Sequence, residues 1–164
     1  MGSDSDLAIM SESAKILNDF GVSYEITVSS AHRSPKLTVD KVEKYYKNGV
    51  KIIIAGAGLA AHLAGVIAAH FPLPVIGVPL KGGALNGIDS LYSTVQMPSG
   101  IPVATVGIDN AKNAGLLAVQ ILAISDKKLE RKMIEYKRKL SEDIDKKTKK
   151  LEKVGWKNYL ESSK

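Results

Sequence analysis

The chain has no cysteine. That excludes disulfide staples and thiolate metal sites and fits a reducing compartment, so a cytoplasmic protein is expected. Aromatic residues are scarce, with one Trp and two Phe among 164 residues. The core must therefore come from small and β-branched aliphatic side chains, which suit a close-packed α/β fold. No apolar run is long enough to span a bilayer, and Met1-Gly2-Ser3-Asp4 is polar rather than signal-like, so no membrane partner is expected. Three histidines without close spacing give no metal site.

Charge of one sign is missing from most of the chain. Residues 1–125 carry nine Lys and Arg and nine Asp and Glu, whereas residues 126–164 carry 14 against 8 and supply the whole net charge of +6. A basic segment can bind nucleic acid. Here both signs alternate on a helical pattern without interleaved aromatics. The segment reads as a solvated helix face, and no nucleic-acid partner is expected.

What is present is alternation. A Gly/Ser/Asp loop (residues 2–6) leads into a helical pattern of Leu7, Met10, Ala14 and Leu17 that Gly21 stops. Tyr24, Ile26 and Val28 alternate as a strand. A helix is expected from Pro35 to Asn48, a buried strand from Val50 to Ala55, and a small-residue helix from Leu59 to His70. Another buried strand covers Pro74 to Val78. A Gly-rich loop follows from Pro79 to Gly87, then a short helix from Ile88 to Gln96. The last strand runs from Ile101 to Val106 and the last helix of this part from Asn110 to Ile124. Strands alternating with helices predict one domain with an open parallel sheet covered on both faces. Right-handed crossovers place the loops at 2–6, 30–35, 56–62 and 79–87 on one sheet edge. Beyond residue 125, Leu129, Met133, Tyr136, Leu140, Ile144 and Leu151 form one narrow apolar stripe on a helix of about 28 residues. This extension (126–164) reads as reaching a neighbouring subunit, with Trp156 and Tyr159 as its anchor. The alternative is a helix lying across its own sheet.

The chemistry concentrates in Ser30-Ala31-His32-Arg33-Ser34-Pro35. An imidazole exchanges protons near neutral pH, and a guanidinium grips an anion through parallel hydrogen bonds. Ser34 and Pro35 also read as a capped helix start, and on spacing alone that reading stays open. In the first loop, Ser3 and Ser5 offer hydroxyls beside a helix N-terminus that suits phosphate. Asp4 and Asp6 would repel a bare anion, but an Asp directed at ribose hydroxyls resolves the conflict, so the loop suits a sugar phosphate. Gly56-Ala57-Gly58 allows close approach of backbone to a flat ligand and lacks the dinucleotide fingerprint. His62 by itself reads as a core histidine and His70 as a helix C-terminal charge. His32 is the one plausible proton carrier.

Four stretches in this order resemble the N5-carboxyaminoimidazole ribonucleotide mutase family: Met1 to Asp6, Ser29 to Pro35, Ala55 to Leu63, and Asp89 to Pro98 with Gly100-Ile101-Pro102-Val103. The resemblance spans essentially the whole chain. It implies a three-layer α/β/α flavodoxin-like subunit in a homo-octamer whose C-terminal helices are exchanged between neighbours. The implied reaction moves a carboxylate from nitrogen to C4 of an imidazole ribonucleotide without metal or organic cofactor. His32 matches the general acid/base, Ser3 and Arg33 the phosphate-binding residues, and Asp6 the ribose-binding residue. Ser5, Ser30, Gly56, Ala57, Gly58, His62 and Leu63 complete the implied substrate site, with Gly56 to Leu63 lining a CO2 pocket. Family members carry an apolar strand ahead of the Met-Gly-Ser loop. This chain starts at Met1, so the first strand is expected to be missing. Ala64 stands where the family has Pro, and no role is carried onto Lys81-Gly82-Gly83-Ala84. Two other readings remain: direct carboxylation of aminoimidazole ribonucleotide by CO2, and a non-catalytic flavodoxin-like nucleotide-binding module.

Overall fold

The apolar segments and amphipathic helices alternate in the fold as the pattern requires. A computed structural model describes residues 1–162. A 3-10 turn at Asp4–Asp6 leads into α1 (Leu7–Phe20), followed by α2 (Pro35–Lys47), β1 (Ile53–Gly58), α3 (Leu63–His70), β2 (Val75–Leu80), α4 (Ile88–Val95), β3 (Ala104–Thr105), α5 (Ala111–Ala123) and α6 (Lys127–Glu161). The chain divides into two units, Met1–Leu122 and a second that begins at Ala123.

In the first unit the strands run parallel in the order β1-β2-β3. Every residue of β2 is buried, because alternate side chains enter two different cores. Ile76, Val78 and Leu80 meet Met10 of α1 and Ala111, Ala114 and Ala118 of α5. On the opposite face, Val75 and Ala55 meet Val42 of α2, Leu63, Ala64 and Ile67 of α3, and Phe71. Helices therefore cover both faces, which is the expected three-layer α/β/α arrangement. Small residues set the spacing between layers. A Cβ on Gly77 would lie 2.4 Å from Thr94 Cγ2, and one on Gly115 would lie 2.9 Å from the Ser13 carbonyl oxygen of α1.

Boundaries depart from expectation in instructive places. Residues 22–30 belong to no helix or sheet, and Tyr24, Ile26 and Val28 are 50%, 46% and 43% exposed. A strand is defined by its hydrogen-bonded neighbour, and here the neighbour is one residue long. The Met1 amine donates to Thr27 O at 3.0 Å, and Ser29 N donates to Met1 O at 2.8 Å. Helix α2 holds the end of this segment: Lys41 Nζ donates to Thr27 Oγ1 (2.9 Å) and Val28 O (3.0 Å), and the Ser29 and Thr38 hydroxyls are bonded at 2.8 Å. On the other side Gly2 N donates to Gly56 O at 3.0 Å, so Met1 and Gly2 bridge this segment and β1. The glycines of Gly56-Ala57-Gly58 end β1 instead of forming a loop, since they pair with Val78, Pro79 and Leu80. Helix α3 starts at Leu63, after a turn, rather than at Leu59. The expected strand at 101–106 keeps only Ala104 and Thr105.

The second unit is dominated by α6. Asp126 caps it, accepting from Lys128 N at 2.8 Å and Leu129 N at 3.1 Å. Its 35 residues exceed the expected length, and they include a break at Gly155, whose φ of 74° and ψ of 158° are non-helical. Same-face ion pairs such as Arg138 with Glu135 and Glu142 line the helix. Exposed pairs of this kind contribute little to stability. Ile134, Leu140, Ile144, Trp156 and Leu160 are exposed.

Gly115→Ala tests the layer spacing. Helix propensity alone favours Ala by about 1 kcal/mol, but the new methyl meets backbone, which cannot rotate away, at an overpacking cost of about 1–3 kcal/mol. A net loss of up to about 2 kcal/mol is expected in urea denaturation. A stabilised variant would show that α1 and α5 are not in close contact.

Candidate functional site

The candidate residues sit on connections leaving the carboxyl edge of the sheet, where parallel topology concentrates sites. The first loop is a closed capping box: Ser3 N donates to Asp6 Oδ2 at 3.0 Å and Ser5 N donates to Ser3 Oγ at 3.4 Å. Ser5 Oγ lies 2.9 Å from Ser3 Oγ, so the two hydroxyls act as one polar cluster.

The second loop folds over the first. Ser30 Oγ accepts from both Arg33 N (3.2 Å) and Arg33 Nε (3.4 Å), and Arg33 Nη2 reaches Gly2 O at 3.4 Å. Arg33 is thereby aimed at the Ser3 loop. It has no carboxylate partner within ion-pair distance among the described residues. An oriented cation with no carboxylate across from it is a seat for an anion. Ser34 Oγ bonds Ser30 O at 3.1 Å and makes no side-chain cap, while Pro35 does occupy the first turn of α2.

The third loop brings the second imidazole. His32 Nε2 and His62 Nδ1 are 2.6 Å apart, with ring centroids at 4.8 Å and planes at 76°. At that separation one hydrogen lies between two nitrogens, so one ring donates and the other accepts. His62 is thus exposed and in contact with His32, not a core histidine. Nothing in the sequence spacing signalled this contact, which joins residues 30 positions apart. Leu59 is a second feature the sequence concealed. Its φ of 56° is in the left-handed region, which a bulky side chain adopts only under outside constraint. Its Cδ2 packs against Gly82 and Gly83, which draws the fourth loop to the third. Asp109 Oδ1 accepts from Lys81 N at 2.8 Å and anchors that loop's start.

The remaining predicted residues hold the backbone. Gly56 is buried and accepts from Gly2 N; a Cβ there would lie 2.3 Å from Met10 Sδ. Ala57 and Gly58 are half-buried at the end of β1. Leu63 is 3% exposed and lies in the core beneath α3, where it anchors the helix that carries His62. His32 and Arg33 are exposed, so within one chain the site is open to solvent. A cavity of about 480 Å³ lies elsewhere in the first unit, between residues 22–27 and 50–55.

A doubly covered parallel sheet with a Ser/Asp capping loop, an oriented Arg and paired imidazoles at its carboxyl edge defines an α/β protein suited to a phosphorylated ribose compound. The model of one family, AIR carboxylase, matches residues 1–143, and the chain belongs to that family. It is 56% identical over 160 residues to an N5-carboxyaminoimidazole ribonucleotide mutase of Pyrococcus horikoshii, covering 98% of this chain and 90% of that one. The mutase of Thermotoga maritima is 54% identical, with 98% and 94% covered. A phosphoribosylaminoimidazole carboxylase of Saccharomyces cerevisiae is 53% identical over 162 residues, but only 28% of that longer protein is covered. Among solved structures, the crystal structure of Treponema denticola PurE superposes with a TM-score of 0.84 at 30% identity, covering 95% of this chain and 96% of that chain.

Proposed function

We propose that the chain is an N5-carboxyaminoimidazole ribonucleotide mutase of purine biosynthesis, an isomerase that yields 4-carboxy-5-aminoimidazole ribonucleotide. The observation that carries the reading is the His32–His62 pair beside an oriented Arg33. Mutase-named relatives are covered over nine-tenths or more of their length, whereas the carboxylase-named yeast relative is mostly additional sequence. Both favour the mutase over the direct carboxylase and the non-catalytic module.

In this reading Arg33 and Ser3 hold the 5′-phosphate and Asp6 accepts from a ribose hydroxyl. Ser5 and Ser30 keep those groups in place. His32 delivers a proton to the carbamate nitrogen, the N–C bond breaks, and its electron pair stays on nitrogen as CO2 leaves. C4 of the electron-rich imidazole then forms the new C–C bond to CO2. The C4 proton returns to the now neutral His32, so the cycle consumes no proton and calls for no metal or organic cofactor. His62 shares a hydrogen with His32 and fixes which ring nitrogen is free to act. Gly56, Ala57, Gly58 and Leu63 shape the floor against which CO2 is held. Because the loops are open in one chain, closure around CO2 falls to substrate and to neighbouring subunits. The exposed apolar residues of 126–164 support a role for this extension in a homo-octamer, and a purine-biosynthesis role together with the lack of cysteine supports a cytoplasmic location.

Two measurements test this. Purified chain should turn over the N5-carboxylated ribonucleotide without added bicarbonate. His32→Asn should cost about 10²- to 10⁴-fold in kcat, and Arg33→Lys should raise KM about tenfold because a point charge lacks the guanidinium fork. Activity only with aminoimidazole ribonucleotide plus bicarbonate, or a fully active His32→Asn, contradicts the assignment. Light scattering should give the mass of eight chains, and a monomer contradicts the assembly.

A further inference from the structure

The loop from Pro79 to Gly87 carries no step of the proposed reaction, yet its end is sharply defined. Asn86 has a φ of 52° and Gly87 a φ of 89° with ψ at 0°, and Ile88 N donates to Leu85 O at 3.1 Å. Two left-handed central residues closed by that bond make a type I′ turn over Leu85 to Ile88. Asn and Gly are the residues that tolerate those two positions. Asn86 is exposed and Gly87 is buried. The Gly87 carbonyl is held by Leu91 N and Ser90 Oγ, each at 2.9 Å. The peptide joining Asn86 to Gly87 is not held: among the described residues neither its carbonyl nor its N–H has a hydrogen-bond partner.

An unheld peptide plane can turn over without disturbing its neighbours. Here the turn changes from type I′ to type II′, keeps the Leu85–Ile88 bond, and brings ψ of Asn86 to about −120°. Gly87 accepts the accompanying change in the sign of φ because it has no Cβ. At that ψ the Gly87 nitrogen eclipses the Asn86 Cβ and stands beside the side-chain amide carbon, Cγ. A second Asn-Gly pair in the same chain shows what a held peptide looks like. Asn48 and Gly49 end α2 and are both exposed, but Gly49 N donates to Tyr46 O at 3.0 Å. Turning that peptide over breaks the bond, which makes its reactive form about tenfold rarer. The two pairs share their chemistry and differ in what holds them.

We propose that Asn86 is a self-modification site, where the turned-over peptide closes an imide with Gly87 and yields aspartate or isoaspartate. The Gly87 nitrogen gives up its proton and bonds to Cγ of Asn86. The bond from Cγ to Nδ2 breaks, its electron pair stays with Nδ2, and ammonia departs carrying that proton. Water then opens the imide. Addition at Cγ restores the main chain with an aspartate, and addition at the main-chain carbonyl routes the chain through Cγ as isoaspartate. Nothing is oxidised or reduced, and water is the one co-reactant. Either product places a carboxylate in the loop whose Gly82 and Gly83 pack against Leu59. The isoaspartate also adds a backbone carbon to the turn that leads into α4.

The test is incubation of the folded chain in mildly alkaline buffer, with peptide mapping by mass spectrometry at both Asn-Gly pairs, beside the same chain unfolded in urea. In the folded chain Asn86 should convert about tenfold faster than Asn48, with isoaspartate among its products. In urea the two should convert at equal rates. Asn86→Gly, which keeps a residue suited to positive φ, should remove most of the ammonia that the folded chain releases. Equal rates at the two pairs in the folded chain, or faster conversion of Asn48, overturn the proposal. So does an Asn86 that stays intact over the time in which the unfolded chain reacts, or ammonia release that Asn86→Gly leaves unchanged. A difference between the pairs that persists in urea would assign it to flanking sequence and likewise overturn it. None of these readouts depends on turnover, so they stand or fall apart from the proposed reaction.

Discussion

Three backbone hydrogen bonds made by Met1 and Gly2 hold the site loops in one place. Through them the first loop is fixed between residues 27–29 on one side and β1 on the other. Arg33 then bends back to Gly2 O, so its guanidinium is positioned by one of the same two residues. Neutral backbone bonds of this kind are individually worth about 1 kcal/mol. Their importance is geometric: they fix where Ser3, Arg33 and His32 stand relative to one another. Proton transfer and phosphate binding require that order of placement.

Much of the architecture was legible because it follows from burial. The continuous apolar runs around Val50 and Pro74 became β1 and β2, since a strand covered on both faces has no polar side to show. Met10 of α1, Val42 of α2 and Ala114 of α5 likewise enter the cores, while Leu7, Leu37 and Tyr46 are exposed. Boundaries failed where the deciding partner lies far along the chain. Tyr24, Ile26 and Val28 have strand character, yet a ladder needs a neighbour, and among the described residues only Met1 bonds to this segment's backbone as one. Gly56-Ala57-Gly58 looked like loop on composition, but its place between Gly2 and β2 makes it strand.

The site divides the same way. His32, Arg33 and Ser3 could be singled out from residue types and from the convergence of loops on one edge. His62 could not be raised above a core histidine by its Ala-rich surroundings; its contact with His32 depends on the start of α3, which Leu63 anchors in the core. Leu59 was equally hidden, because its left-handed backbone is imposed by the approach of the Gly82-Gly83 loop. The resemblance implies a site role for His62, and the geometry sets its ring against His32.

The central claim is that Arg33 and Ser3 seat the phosphate while His32 faces the reacting imidazole ring. A crystal structure of the chain soaked with 4-carboxy-5-aminoimidazole ribonucleotide tests it directly. The account predicts phosphate oxygens within about 3 Å of the Arg33 guanidinium and the Ser3 hydroxyl, with an imidazole nitrogen of His32 beside C4 or the exocyclic nitrogen. A phosphate bound away from Arg33, or a His32 ring turned to the ribose or to solvent, would contradict it.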